Sequence, residues 1–323
     1  MSKHHDHDHH EHKHEEHHDH GHDHGHGHAG HHHEVSNINT AFKIAISLNL
    51  IFTLIEMIAA WFANSTSLFA DAGHNLGDVL SLGMSWGALW LLSKKASEKY
   101  SYGFKRTTIL AALINAFILV VASTIIGVTA IDKFIHLSTY VNEKIIILVA
   151  LIGIFVNGIS ALFFMKGQHD LNIKSAFLHL MYDALISAGV VVSGILIYFT
   201  HAWWIDPVVG LLIVITILYG SWGLLRQSLD LILDAVPRAI NLKDVRDYLL
   251  SHHNITAVHD LHIWGLSTKE TALTAHLIVP NNDMDHVQLD NINAELKKHF
   301  KIHHTTLQVE MNEAGCERET ECC

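Results

Sequence analysis

Residues 173–199 read IKSAFLHLMYDALISAGVVVSGILIYF. The run is close to the ~20 apolar residues that carry a helix across ~30 Å of hydrocarbon. It also contains His179 and Asp183, four apart and therefore one above the other on a helical face. A second stretch, 69–93, has the same form, with His74 and Asp78 at the same spacing. Outward from these two, apolar segments at roughly 41–63, 107–131, 144–165 and 205–225 complete six expected transmembrane helices. Each is bounded by charge, by Asn/Ser/Thr clusters or by the pair Asp206-Pro207, which suits a helix start.

Composition agrees with a membrane domain. Of 323 residues, 49% are hydrophobic and only 16% charged, and the mean hydropathy of +0.23 is high for a soluble chain of this length. The formal charge of -11 is unevenly spread, because residues 1–34 hold eight acids against Lys3 and Lys13. No basic stripe points to nucleic acid. The same tract carries 17 of the 31 histidines, interleaved with Asp, Glu and Gly. A disordered, metal-binding cytoplasmic tail is expected over residues 1–36; the alternation of His with Asp and Gly differs from the plain run of a cloning tag. Cys316, Cys322 and Cys323 all lie in the last eight residues, where no disulfide framework can form, and read as reduced cytoplasmic thiols. The start of the chain lacks the pattern of a secretory signal.

Orientation follows from basic residues in the short connections. Lys94, Lys95, Lys99, Lys105 and Arg106 fall between the second and third spans, and Lys166 and Lys174 flank the fourth connection, against Lys133 and Lys144 on the other side. Both termini are therefore expected in the cytoplasm. After Pro237 the chain reads as soluble: a helix at 241–251, strand-like runs at 256–265 and 270–279, a helix near 284–299 and a strand near 304–311. The expected fold is a mainly α membrane protein, six transmembrane helices followed by a small cytoplasmic α+β domain of order αββαβ. The organisation expected is a tail (1–36), a transmembrane domain (37–227), a cytoplasmic domain with its connecting segment (228–311) and a loose Cys-containing tail (312–323).

Two His-x-x-x-Asp helices packed face to face would surround one point with two nitrogens and two oxygens. That donor set suits tetrahedral Zn2+ and offers no oxygen cage for Mg2+ or Ca2+. A carboxylate at membrane depth costs roughly 2.5–3.5 kcal/mol on insertion scales, which is hard to justify twice for packing alone. Zinc needs neutral imidazoles and ionised carboxylates, so His74, Asp78, His179 and Asp183 are expected to bind the metal, and the two histidines to carry exchanged protons. Glu56 suits a proton relay or a cavity wall, and Asn49, Asn115 and Asn157 suit helix–helix hydrogen bonds. Neither motif has the glutamate base of a His-Glu-x-x-His protease. A membrane-tethered zinc sensor or a passive zinc channel is the competing reading.

The stretch SLFADAGHNLGD, Ser67 to Asp78, resembles the signature of the cation diffusion facilitators in their zinc-transporting branch. Tyr102-Gly103-Phe104-Lys105-Arg106, Asp170-Leu171-Asn172, Ala176-Phe177-Leu178-His179 and His259-Asp260-Leu261-His262-Ile263-Trp264 also look like motifs of that family. The resemblance covers about residues 40–311. It implies a homodimer of six-span protomers, each with its own metal site, exchanging Zn2+ for protons by alternating access. His74 at the head of the first motif favours Zn2+ and Cd2+ over Mn2+ or Fe2+. His259, His276, His303 and Glu310 resemble positions that bind zinc at a cytoplasmic dimer interface, although Gln308 stands where some relatives have another histidine. A bacterial inner membrane is the expected location, with a eukaryotic vesicle or organelle membrane as the second.

Overall fold

The computed structural model describes residues 31–136, 140–165, 171–280 and 283–311. The His-rich tract up to residue 30 and the cysteine-bearing tail from 312 lie outside these. Six long helices come first: α1 (His31–Ala63), α2 (Thr66–Leu92), α3 (Thr107–Ile135), α4 (Glu143–Phe164), α5 (Leu171–Thr200) and α6 (Ile205–Ile232). Helix α1 begins in a short first unit of the chain that ends at Thr40; the remaining turns belong with everything that follows.

Five of the helices contain stretches long and apolar enough to cross a membrane: Ile46–Ala63, Thr107–Ile135, Glu143–Leu162, Lys174–Thr200 and Ile205–Ile232. Helix α2 has the length without the hydropathy, because Asp71, His74, Asn75 and Asp78 share it with serines and glycines. The bundle is inside out compared with a soluble protein. Trp61, Phe62, Trp86, Phe155, Leu185 and Phe199 face outward, while Glu56, Asp71, Asn75, Asn157, Asp183 and Asp206 are fully buried. Hydrocarbon solvates the first set, and the second must find partners within the protein.

Helix α4 packs along α5, α3 along α6, and α2 along α3 and α6, whereas α2 and α5 meet over a smaller area. Small residues permit the close approaches. A side chain at Gly210 of α6 would strike the backbone of Thr66 and Ser67 at the start of α2, and one at Gly77 would overlap Leu119 of α3.

The start of α2 is also fixed by charge. The buried Asp206 carboxylate accepts from the Ser65, Thr66 and Ser67 hydroxyls at 2.5, 2.6 and 2.6 Å. It also accepts from the backbone N–H groups of Thr66 and Ser67 at 2.6 and 3.2 Å. A carboxylate at a helix N-terminus takes up the amides that have no partner within the helix. Here that carboxylate comes from α6, so it joins two spans.

The soluble part comprises α7 (Leu242–Leu250), β1 (Ala257–Gly265), β2 (Thr271–Ile278), α8 (His286–Phe300) and β3 (Ile302–Glu310). Its three strands lie in the order β1-β2-β3, the first pair antiparallel and the second parallel. A parallel neighbour requires a crossover, and α8 supplies it; Asp285 and Gln288 form its capping box. Val245 and Leu249 of α7 and Ile292 and Leu296 of α8 pack with Leu261, Ile263, Leu273 and Leu277 on one face of the sheet. The other face is polar and rich in histidine.

Two ion pairs tie this domain to the bundle. Lys105 Nζ lies 2.6 Å from Glu270 in the β1–β2 turn, and Arg106 lies 2.6 Å from Asp234 after α6. The Thr268 N–H donates to the Thr108 hydroxyl at 3.1 Å.

Candidate metal centre

Where α2 crosses α5, the four ionisable residues of the two repeated motifs converge. His74 Nε2 is 3.3 Å from Asp183 Oδ1 across the helices and 3.8 Å from Asp78 Oδ2 along its own. His179 Nε2 is 3.3 Å from Asp78 Oδ2 across and 3.7 Å from Asp183 Oδ2 along. Nitrogen and oxygen thus alternate around one point, with the cross-helix spacings the shorter in both cases. Zinc bonds of ~2.0–2.2 Å to N and O place the ligand atoms of a tetrahedron roughly 3.3–3.6 Å apart. The four N–O spacings fall at or just beyond that range; His74, Asp78 and Asp183 bring their ligand atoms within 4.8 Å of one another, and His179 stands outside that tighter group.

His74 Nε2, Asp78 Oδ2 and both oxygens of Asp183 are buried, yet none makes a hydrogen bond among the described residues. Buried polar atoms without partners are expensive, and charged ones more so. The donors match what a zinc ion would take up: two imidazole nitrogens, two carboxylates and no competing cationic side chain. The donor set fits a zinc ion in its chemistry.

A cavity of about 390 Å³ reaches this point, lined among others by Ile46, Asn49, Asp78, Ser81, Ser175 and His179. Ser81 follows Asp78 along α2, and Ser175 precedes His179 on α5. Because successive helices alternate in direction and α6 leads into the soluble domain, both lie toward that domain. Approach to the quartet is therefore from the soluble-domain side. On the other side of the quartet Ser187 donates to Asp71 Oδ2 at 2.8 Å and Asn75 donates to Glu56 Oε2 at 3.0 Å.

Asp71 and Ser187 support this arrangement without a role in the sequence reading, and Asp206 figures there only as a helix start. Asp71 had one signal, its position three residues before His74 on the same helical face. Asp206 had another, the Ser65-Thr66-Ser67 run that needed an acceptor. The pairing between distant helices had none.

The soluble domain holds a second group. The rings of His259 and His276 face each other at 5.0 Å, as their register across β1 and β2 requires. Glu310 lies 3.3 Å from His259 Nε2 through Oε2 and 2.8 Å from His276 Nδ1 through Oε1. The three could hold a metal ion together. Gln308 sits opposite His276 on β3 and donates to Glu310 Oε1 at 2.8 Å. His303, proposed on resemblance as a fourth member, is exposed at the other end of β3. Seven residues at ~3.3 Å per residue separate it from Glu310 by roughly 23 Å, so within one chain it stays apart from the group.

A bundle apolar outside and polar within, with a cluster of two histidines and two aspartates at its centre and a small α+β domain attached, defines a multi-pass membrane protein. Comparison with known families is more specific. The cation efflux transmembrane domain matches residues 42–233, and the cation efflux protein cytoplasmic domain matches 237–312. The chain belongs to the cation efflux family. It is 31% identical over 287 residues, 87% of its length and 92% of the relative's, to the cadmium, cobalt and zinc/H(+)-K(+) antiporter of Bacillus subtilis. It is 31% identical to the metal cation efflux system protein CzcD of Cupriavidus metallidurans, over 90% of this chain and 92% of that one. To the zinc transporter ZitB of Pectobacterium atrosepticum it is 28% identical, over 87% and 88%.

Proposed function

We propose that the protein is a secondary transporter that carries Zn2+, and Cd2+ as a second substrate, out of the cytoplasm in exchange for protons. His74, Asp78, His179 and Asp183 bind the ion. The observation that carries this reading is the convergence of the two motifs, in which each histidine Nε2 lies 3.3–3.8 Å from carboxylate oxygens of both helices and the buried oxygens make no hydrogen bond among the described residues. Helix α2 is the sixth span, polar because it carries half of the site. The Lys and Arg bias puts both termini and the soluble domain on the cytoplasmic side of a bacterial inner membrane. The cavity then opens to the compartment from which the ion is taken. The family match to a dimerising cytoplasmic domain supports a homodimer.

Exchange follows from competition for the same atoms. Zinc enters when the imidazoles are neutral and the carboxylates ionised; protons arriving from the other side occupy those atoms and release it. The name of the B. subtilis relative makes potassium a second counter-ion to examine. The organisation proposed remains a tail over 1–36, a transmembrane domain over 37–227, a cytoplasmic domain over 228–311 and a final tail over 312–323.

A second reading concerns the soluble domain, where we assign His259, His276 and Glu310 to a regulatory zinc site supported by their mutual distances. His303 would join it only from another copy of the chain.

The test uses purified protein in liposomes with a zinc dye inside and proton or potassium gradients imposed separately. Zinc uptake that follows the proton gradient and vanishes in Asp183→Ala is the expected result. Uptake indifferent to either gradient would make the protein a channel. Tight binding without uptake would make it a sensor.

A further inference from the structure

Side chains alternate between the faces of a strand, so His259 and His262, three apart, should point to opposite sides of β1. They do not. The pairing of β1 with β2 is interrupted between His259 and His262, and within the break Asp260 adopts φ 51°. That left-handed conformation is uncommon outside glycine, though aspartate tolerates it better than most residues. The extra residue resets the alternation. Val258, Leu261 and Ile263 all reach the buried face, and His262 is left outward with His259.

The consequence is a continuous line of donors. His262 Nε2 lies 2.8 Å from Asp260 Oδ1, and Asp260 Oδ2 lies 3.7 Å from His276 Nε2. His276 Nδ1 in turn faces Glu310 at 2.8 Å, and Glu310 faces His259 at 3.3 Å. Imidazole and carboxylate alternate from His262 to His259.

We propose that Asp260 and His262 form a second metal subsite beside the one assigned to His259, His276 and Glu310, for a divalent cation of the Zn2+ class. The proposal rests on that assignment. An exposed His–Asp pair by itself offsets little of the strain in a left-handed non-glycine residue, so the bulge needs another reason. Binding supplies one. His276 can ligate through one ring nitrogen while the other donates its N–H to a carboxylate, which fixes ring and tautomer. Asp260 faces His276 through Oδ2 at 3.7 Å, close enough to turn toward its N–H once a metal fixes the ring, and leaves Oδ1 beside the His262 nitrogen for the second ion. With Asp260 39% and His262 44% exposed, water completes the coordination, and an open site of this kind exchanges its ion readily.

The number of zinc ions bound per chain, measured by equilibrium dialysis of the full-length protein against a zinc buffer, tests the subsite. His262→Gln and Asp260→Asn should each bind one ion fewer than the wild type. Asp260→Gly, which relaxes the backbone and removes only the carboxylate, should lose the same ion while folding at least as well. The His-rich tract and the membrane quartet contribute equally to every variant. An unchanged count in all three, with one ion lost in Glu310→Gln, overturns the subsite and leaves the three-residue site standing. No loss in any of the four overturns both.

Discussion

The two groups of histidines and carboxylates in this molecule are built on opposite logics. In the membrane, each helix supplies a His and an Asp one turn apart, so local geometry makes two half-sites and packing of α2 on α5 only has to bring them together. In the soluble domain no element holds more than part of the group in register. His259 and Asp260 come from β1, His276 from β2 and Glu310 from β3, and the sheet alone makes them neighbours. Surroundings differ as well. Asp183 is wholly buried, although His179 beside it is 45% exposed, while His259, His276 and Glu310 are all 21–28% exposed. A buried carboxylate without a hydrogen bond of its own favours a cation; a partly exposed one can be satisfied by water.

If that contrast is right, the largest effect belongs to the membrane. Asp183→Ala should abolish transport, with zinc affinity of the quartet falling by more than the ~10–100-fold seen when only a supporting residue is lost. Flux into zinc-dye liposomes measures it, and residual transport above a tenth of wild type would place the essential site elsewhere.

Next in size is the effect of pH. Bound zinc excludes protons from the imidazoles, so zinc affinity falls as pH falls, by up to about tenfold per pH unit for each proton that competes for a ligand atom. Both groups have this sign, because both contain two histidines. Titration in the Asp183→Ala background separates them, since whatever pH dependence of zinc binding survives there belongs to the soluble cluster and the tail.

Asp206→Asn probes what holds the first site in shape. Its carboxylate accepts five hydrogen bonds that anchor the start of α2, the helix carrying His74 and Asp78. An amide keeps the shape but cannot accept all five, and a loss of about 3 kcal/mol is expected. The apparent melting temperature in detergent should drop by several degrees. An unchanged melting curve would mean that Gly210 packing alone fixes the crossing of α6 over α2.

The same contrast explains what could be read in advance. Length and hydropathy mark five of the long helices as spans, and a repeated i, i+4 spacing singles out the His and Asp residues that converge between α2 and α5, because both are properties of single helices. The strand and helix order after Pro237 was legible for a similar reason. Asp71 with Ser187, and Asp206 with Ser65, were not, since each bond joins residues more than a hundred positions apart and no local period encodes it. The bulge at Asp260 was hidden too: HDLHIW reads as an unbroken strand, and only the burial of Leu261 and Ile263 beside Val258 reveals the reset. His303 was drawn in by resemblance, where distance along β3 keeps it apart.

Glu310→Gln should have a smaller consequence than any change in the quartet. It removes the carboxylate shared by His259 and His276 but leaves the membrane site untouched, so maximal transport should stay within about twofold while the zinc concentration for half-maximal rate moves several-fold. Complete loss of transport in a variant that still folds and elutes as wild type would erase the distinction between a carrier site and a regulatory one.

The smallest effect should come from the region with the most histidines. Deleting residues 1–33 removes 17 of the 31, yet none of them belongs to the quartet or to the soluble cluster. Their neighbours are acids and glycines, a composition suited to gathering ions loosely. The deletion should therefore lower the apparent affinity or rate at low zinc by a few-fold and leave transport at saturating zinc near wild type. A concentration series in liposomes distinguishes the two. If the deletion instead abolished transport at all concentrations in a correctly folded protein, the number of histidines rather than their placement would be what delivers zinc to Asp183.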